Sequence, residues 1–498
     1  MKFDAPKSLV PFAGIFVLIL GVSGCENATT KASGERLDGL LATGLDAAAA
    51  ERAQTRLAST LGRDNATGAL SDQYASISET TGSGQLSALL SSALERNTRI
   101  GTAAQQINRA DAERLNAIFG YLPQINVTFS RDQITQRVIE TDNAVFELGE
   151  AKYPVTTIQA RIDQPILDLS RIFGIQHATN ARSISEVEYI RTVRDVVYEV
   201  FDAYLVANQA KARSGALRQR MGFLARQINS QDALNDSGIG DVIEVSSLRS
   251  ERSSIASEEA LESARYIEAL GDLALLTGAS VSEIAPLRFP QGIGQSERRI
   301  SADQAVATGL EQNPVVMAAA LGVVGAELDR RRALAADFAP VLAAYAMLER
   351  EDRANSRFGG GSLTEDTTVG VRLTIPIFNG RGRGYETLPA TVGVRAGALD
   401  YYARRRQVET QIRATHARLT ELSRAMGQSS NAARQSARAL GSERDRLATG
   451  QSADLAVAAR EIRLSVARER NAFYQTEYLR TWARLQYLMG ADLSKQGF

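Results

Sequence analysis

The sequence predicts an α+β membrane protein in which long helices, packed side by side as coiled coils, run into short strands. Three observations carry this reading. Twice in the chain an alternating strand (157–163 and 369–375) leads through a proline into a very long helical run. Both helical runs carry apolar residues at an average spacing of about 3.5 positions, the coiled-coil period. Beyond the N-terminus no stretch reaches the roughly 18 apolar residues of a membrane helix, so any crossing of a membrane falls to strands.

Composition narrows the function. The 498 residues suffice for two or three ordinary domains. Lys+Arg and Asp+Glu balance at 57 each, which gives no case for nucleic acid as a partner. One cysteine, Cys25, rules out a disulfide within the chain. The two histidines, His177 and His416, stand far apart and read as polar helix residues rather than metal ligands. No nucleophile elbow, phosphate loop or zinc motif occurs, and the carboxylates are scattered along helical faces. We expect no enzyme, no cofactor and no metal.

Taken in order, residues 1–24 read as a signal peptide: Lys2 and Lys7, an apolar run at 9–20, then Gly21-Val22-Ser23-Gly24. Val22-Ser23-Gly24-Cys25 resembles a bacterial lipobox, in which the cysteine is lipidated and becomes the new N-terminus. The alternative is an ordinary signal peptide cut near Gly24. Glu26 follows, where an Asp would divert sorting from the outer membrane. Residues 25–85, rich in Ala, Ser, Thr and Gly, read as a lipid-anchored tether.

The rest divides into two copies, repeat 1 at 86–278 and repeat 2 at 301–490, with a proline-bearing linker at 279–300 and a tail at 491–498. Asn97 and Asn313, Pro123 and Pro340, Pro165 and Pro376, Gly238 and Gly450, Gly278 and Gly490 recur in order at an offset of roughly 210–217 residues. Each copy reads as an opening helix, two strands, a long helix, a Gly/Asp turn and a returning helix. The opening helix is expected to run unbroken over 86–121. Val193, Val197, Val200, Tyr204 and Ala207 form a seam that breaks at Lys211 and resumes at Leu217, Met221, Leu224 and Ile228. Val408, Ile412, Thr415, Leu419, Leu422 and Met426 form its counterpart. A helix over 172–237 is about 100 Å long at 1.5 Å per residue, and two shorter helices end to end match it.

In the strands, Ile125, Val127 and Phe129, then Ile158, Ala160 and Ile162, then Val369, Val371, Leu373 and Ile375 alternate with polar residues. Residues 341–348 are weaker, with small or apolar residues on both faces. Such alternation fits a barrel with lipid outside and water inside, or the half-buried sheet of a soluble protein. The segments 136–153 and 349–366 read as long polar loops. Pro165 and Pro376 mark the strand-to-helix junctions. Four strands cannot close a barrel; two chains would give eight and three would give twelve.

The residues now resemble a known family, the TolC-like outer-membrane efflux proteins, and within it the lipoprotein members. The likeness rests on Ala93 to Asn97 and its counterpart at Gly309 to Pro314, on Leu122-Pro123, on Gln164-Pro165-Ile166-Leu167-Asp168 and Pro376-Ile377-Phe378-Asn379-Gly380, and on the Gly/Asp turns. It covers about 86–490. It implies a homotrimer with a twelve-stranded β-barrel in the outer membrane, continued by a helical barrel through the periplasm. It implies a passive exit duct for a tripartite efflux pump or a type I secretion system, completed by a periplasmic adaptor (membrane fusion) protein and an inner-membrane transporter of RND or ABC type. Under the same likeness the two turns become periplasmic tips, with turn glycines Gly238, Gly240 and Gly450 and with Asp241 and Asp454 matching the aspartate after each turn. These aspartates serve either as helix N-caps or as a symmetric carboxylate ring. Glu244 and Arg446 are candidates for gating ion pairs. Both turns are shorter than is usual in the family. The competing reading is a lipid-anchored periplasmic coiled-coil scaffold with no pore.

Overall fold

In the computed structural model, residues 84–140, 149–238, 240–286, 300–356, 360–377, 384–491 and 493 are described. The expected signal peptide, Cys25, almost all of the expected tether, most of the linker and most of the tail lie outside them. The elements are α1 (Leu86–Arg96), α2 (Thr98–Phe119), β1 (Gln124–Val138), β2 (Gly149–Leu167), α3 (Leu169–Asp236) and α4 (Val242–Thr277). The same order follows as α5 (Ala302–Gln312), α6 (Pro314–Phe338), β3 (Val341–Ser356), β4 (Gly360–Thr374), α7 (Thr387–Ala448) and α8 (Asp454–Met489).

The molecule is built as three stacked rows of four. The strands form one antiparallel sheet in the order β1-β2-β3-β4. Beneath it the main helix contacts give the row α2-α3-α6-α7, and farther down the row α4-α3-α8-α7. The two long helices run through both helical rows. α3 has 68 residues and α7 has 62, about 100 and 93 Å at 1.5 Å per residue. No helix among the described residues is long and apolar enough to cross a membrane.

The opening helix is not continuous. Asn97 takes an extended backbone (φ −70°, ψ 122°) and separates α1 from α2. Its Oδ1 accepts from the Arg99 N–H while its Nδ2 donates to Leu276 O at 2.9 Å, near the end of α4. Asn313 does the same between α5 and α6, donating to Leu488 O at 2.9 Å and accepting from Val315. Each asparagine thus caps one helix and satisfies a terminal carbonyl of another. Only α2 continues the line of α4. The short helices α1 and α5 lie beside the long ones and bury Leu86, Leu89, Leu90 and Ala93, and Ala305 and Val306.

That belt is the main core. Leu89, Phe201, Leu205, Ile412, Tyr478, Leu479 and Trp482 are almost fully buried there. The start of the linker joins it: Val281 and Ile284 are buried, and Tyr204 Oη donates to Ala285 O at 3.0 Å. Lys211, where the seam breaks, pairs with Glu283 at 2.6 Å. The break therefore marks where the linker crosses α3. Below it Leu217, Leu224 and Ile228 rejoin the seam against Val245, Leu248 and Ile255 of α4.

The strands exceed their expected bounds. β1 and β2 have 15 and 19 residues and reach into 136–153 from both ends, and β3 and β4 occupy most of 349–366. The outer ends of β3 and β4 are mostly polar or small and leave little alternation to read, whereas that of β2 alternates and buries Ala151, Tyr153 and Val155 on one face. β2 also runs through Pro165, where the register against β3 shifts between Pro165 and Leu167. A proline lacks the N–H that a regular ladder needs, and a bulge tolerates that loss. Pro376 instead lies just after β4. The two prolines are therefore not structurally equivalent.

Candidate functional site

Register sorts the sheet into two faces. Ile125, Val127 and Phe129 of β1 pair with Ile162, Ala160 and Ile158 of β2. On the same side lie Leu342, Ala344, Ala346 and Leu348 of β3 and Val369, Val371 and Leu373 of β4. These apolar side chains stand open, with Val127 72% and Val369 74% exposed in the single chain. The band ends toward the hairpin tips at Arg131, Thr156, Arg350 and Glu365 on the same face.

The opposite face is mainly polar and internally bonded, with a small buried apolar cluster of Ala151, Tyr153 and Val155 toward the tip of β2. Arg161 makes a two-pronged contact with Asp163 at 2.6 and 2.8 Å. Tyr345 lies between the Arg161 and Arg372 guanidinium groups, 5.6 and 4.7 Å from its ring centre. Gln159 donates to Glu349 at 2.8 Å, and Arg353 to Glu351 at 2.8 Å. Glu349 stands directly opposite Asp366 across β3 and β4. This face suits water, as the first suits hydrocarbon.

The strands feed the helices through tight junctions. Asp168 caps α3, accepting from the Arg171 N–H at 3.0 Å, while Arg171 also reaches Gly120 O. Tyr121 Oη donates to Ile166 O at 2.8 Å. Gln164 returns a bond to Tyr121 O at 3.0 Å.

At the far end are the two tips. In the first, Gly238 takes φ +79°. Gly240 passes so close to Asn235 that a Cβ would lie 1.9 Å from its Oδ1. Asp241 caps α4, accepting from the Ile243 N–H at 2.8 Å. Val242 and Ile243 beside it are exposed. In the second tip Gly450 takes φ +73°. Gly450 N donates to Leu447 O at 3.0 Å and Gln451 N to Arg446 O at 2.8 Å. This is the paired bonding of a Schellman end. Asp454 is not an N-cap there: Ala453 holds that position, and Asp454 is the first residue of α8. Its charge sits at the positive end of the helix dipole.

Glu244 and Arg446 belong to different tips and do not meet in the chain. Arg446 lies 4.0 Å from Glu443 and donates to Gln451 O at 3.4 Å. The strongest tip contacts involve residues that the sequence did not single out. Glu443, only 8% exposed, accepts from Ser452 at 2.6 Å and faces Arg460 at 3.4 Å. The Ser452 hydrogen bond first, and then Arg446 and Arg460, hold its carboxyl below the usual carboxylate range. Glu461 of α8 accepts from Arg444 of α7 at 2.7 Å and from Arg226 of α3 at 2.8 Å, so it ties the two hairpins together. Glu443 and Glu461 look in sequence like any solvated helix charge, and no spacing signal marks them. Among the described residues no group of three His, Cys, Asp or Glu is placed to hold a metal ion.

Residues 89–279 match the sequence model of the outer membrane efflux protein family. No curated protein matches the chain. Solved structures of the same fold include the VceC outer membrane protein of Vibrio cholerae, at 15% identity and TM-score 0.67, covering 82% of this chain and 96% of that one. The CmeC outer membrane channel of Campylobacter jejuni aligns at 15% identity and TM-score 0.65, covering 81% and 85%. The open MtrE outer membrane channel of Neisseria gonorrhoeae aligns at 17% identity and TM-score 0.63, covering 84% and 94%. The resemblance to TolC-like channels thus holds as a fold over most of the chain.

Proposed function

We propose that this chain is the outer-membrane exit duct of a tripartite efflux pump or a type I secretion system. The observation that carries the reading is a sheet with one apolar and one charged face, open at both edges, that runs directly into helices about 100 Å long. An open row of four strands leaves the backbone groups of β1 and β4 bare, which hydrocarbon does not tolerate. Three copies, joined β4 to β1, close a twelve-stranded barrel with the apolar face toward lipid. The helical rows repeat the logic. α4 ends the lower row and α7 ends both helical rows, and their Ile267, Leu275, Leu388 and Leu399 are exposed in the single chain. Neighbouring copies cover them.

In this reading the internal repeat supplies two similar wall segments per copy, six around the duct. Cys25 carries lipid at the outer membrane, and the tips at Gly238–Asp241 and Gly450–Asp454 meet a periplasmic adaptor fed by an inner-membrane transporter of RND or ABC type. Asp241 and Asp454 then form a carboxylate ring that favours cations. The chain performs no chemistry, and cargo moves under the partner's drive. The test is reconstitution of the purified full chain in planar bilayers, together with its oligomeric state. We expect heat-resistant trimers in the outer-membrane fraction and unitary conductance steps. A soluble, non-conducting protein would sink the proposal in favour of a poreless scaffold.

A further inference from the structure

On the charged face of the sheet, Tyr345 of β3 and Gly370 of β4 are direct cross-strand partners. The ring does not stand up from the sheet. It lies across Gly370, so that a Cβ placed there would come within 2.9 Å of the Tyr345 Oη and 3.0 Å of two ring carbons. Over 361–375 Gly370 is the one residue that is not exposed, and Tyr345 is its cover. Gly370 is not among the glycines with positive φ, so its backbone does not require glycine. What requires it is the approach of the ring, a use that glycine commonly has inside a strand.

The ring is also held from both sides. Arg372 and Arg161 stack on it, and Arg161 is itself fixed by its two bonds to Asp163. We propose that Gly370 sets the bore of the barrel by parking Tyr345 against the wall. The inference rests on the duct reading, in which this face lines the lumen and the pair occurs three times around it. A side chain at 370 takes the space of the ring. Tyr345 must then rotate off the strand, and the direction left open is toward the lumen. Three tyrosines turned inward at one level narrow the path for large cargo without changing the fold of the wall.

The test uses the full chain in planar bilayers, comparing wild type with Gly370→Val, Tyr345→Ala and the double variant. Gly370→Val is expected to lower unitary conductance and to reduce the size of neutral polyethylene glycol that enters the pore. Tyr345→Ala combined with Gly370→Val is expected to restore both to the wild-type level, because the displaced ring is gone. Should the valine variant fail to assemble, Gly370→Ala applies the same clash with a single methyl group. Unchanged conductance in the valine or alanine variant overturns the inference. So does a loss that the double variant fails to recover, since that loss would come from damaged wall packing. A wild-type protein that does not conduct at all refutes the duct reading itself, a result separate from the behaviour of the variants.

Discussion

The lower halves of the two helical hairpins share a topology and differ in what holds them. In α3/α4 the seam is apolar: Leu217, Leu224 and Ile228 pack on Val245, Leu248 and Ile255, with Ile462 of α8 against them. In α7/α8 the corresponding stretch is largely polar. Ser429 meets Asn471 at 3.2 Å, and Glu443 gathers Ser452 and Arg460. Its buried apolar side chains there are few, Leu440, Ala458 and Leu464 among them. Apolar burial is insensitive to pH and direction, whereas a buried carboxylate depends on protonation and on every partner staying in place. Similar rods in one chain are therefore expected to respond differently to the same disturbance.

The largest effect should come from the apolar seam. Leu224→Ala is expected to cost about 2–5 kcal/mol, the usual range for a leucine emptied from a packed core. Hydrogen exchange should show faster opening of α3 and α4 below 217 and little change in α7/α8. Equal loosening of both hairpins would erase the contrast.

Next comes Glu443. Its depressed carboxyl pKa means that its contribution is present above the normal glutamate range and is lost as pH falls through the lowered folded value. Amides around 440–460 should thus lose protection at acid pH before those around 224–248. Glu443→Gln should produce that loosened state at neutral pH and remove its pH dependence. A pH response that survives the substitution would mean that another group is responsible.

The smallest effect separates the two tip aspartates. Asp241→Ala removes a true N-cap and should cost about 1 kcal/mol. Asp454→Ala loses only a favourable charge near the start of α8, about 0.3–1 kcal/mol, and that loss should shrink in salt. Thermal melts at low and high ionic strength distinguish them.

Much of this architecture is legible in sequence because its causes are local or periodic. The seam from Val193 to Ala207 is buried as the spacing predicts, and so are Val408, Ile412 and Leu419. The turn glycines Gly238 and Gly450 end their helices at positive φ. The apolar sides of the strands are also those that register sets together. What stays hidden is set by distant partners. The break at Asn97 depends on Leu276, 179 residues away, and no proline or glycine announces it. The outer halves of β3 and β4 are mostly polar or small and resemble loops, and the short alternation of Ala151, Tyr153 and Val155 in β2 is easily passed over. Pro165 reads as a stop until the bulge beside it is seen. Tyr345 and Gly370 are unremarkable alone, and only the register of β3 on β4 brings them together.

The central pairing of the sheet joins β2 to β3, so residues such as Gln159 and Glu349 must meet across 190 positions of chain. The α3/α4 and α7/α8 hairpins close through neighbours joined by short turns. Contacts of long sequence separation form slowly because loop closure must precede them. The α3/α4 rod can therefore form from the first half of the chain alone, but the sheet cannot. β2 keeps a bare edge until residues 341–356 are in place, which ties completion of the sheet to the second repeat.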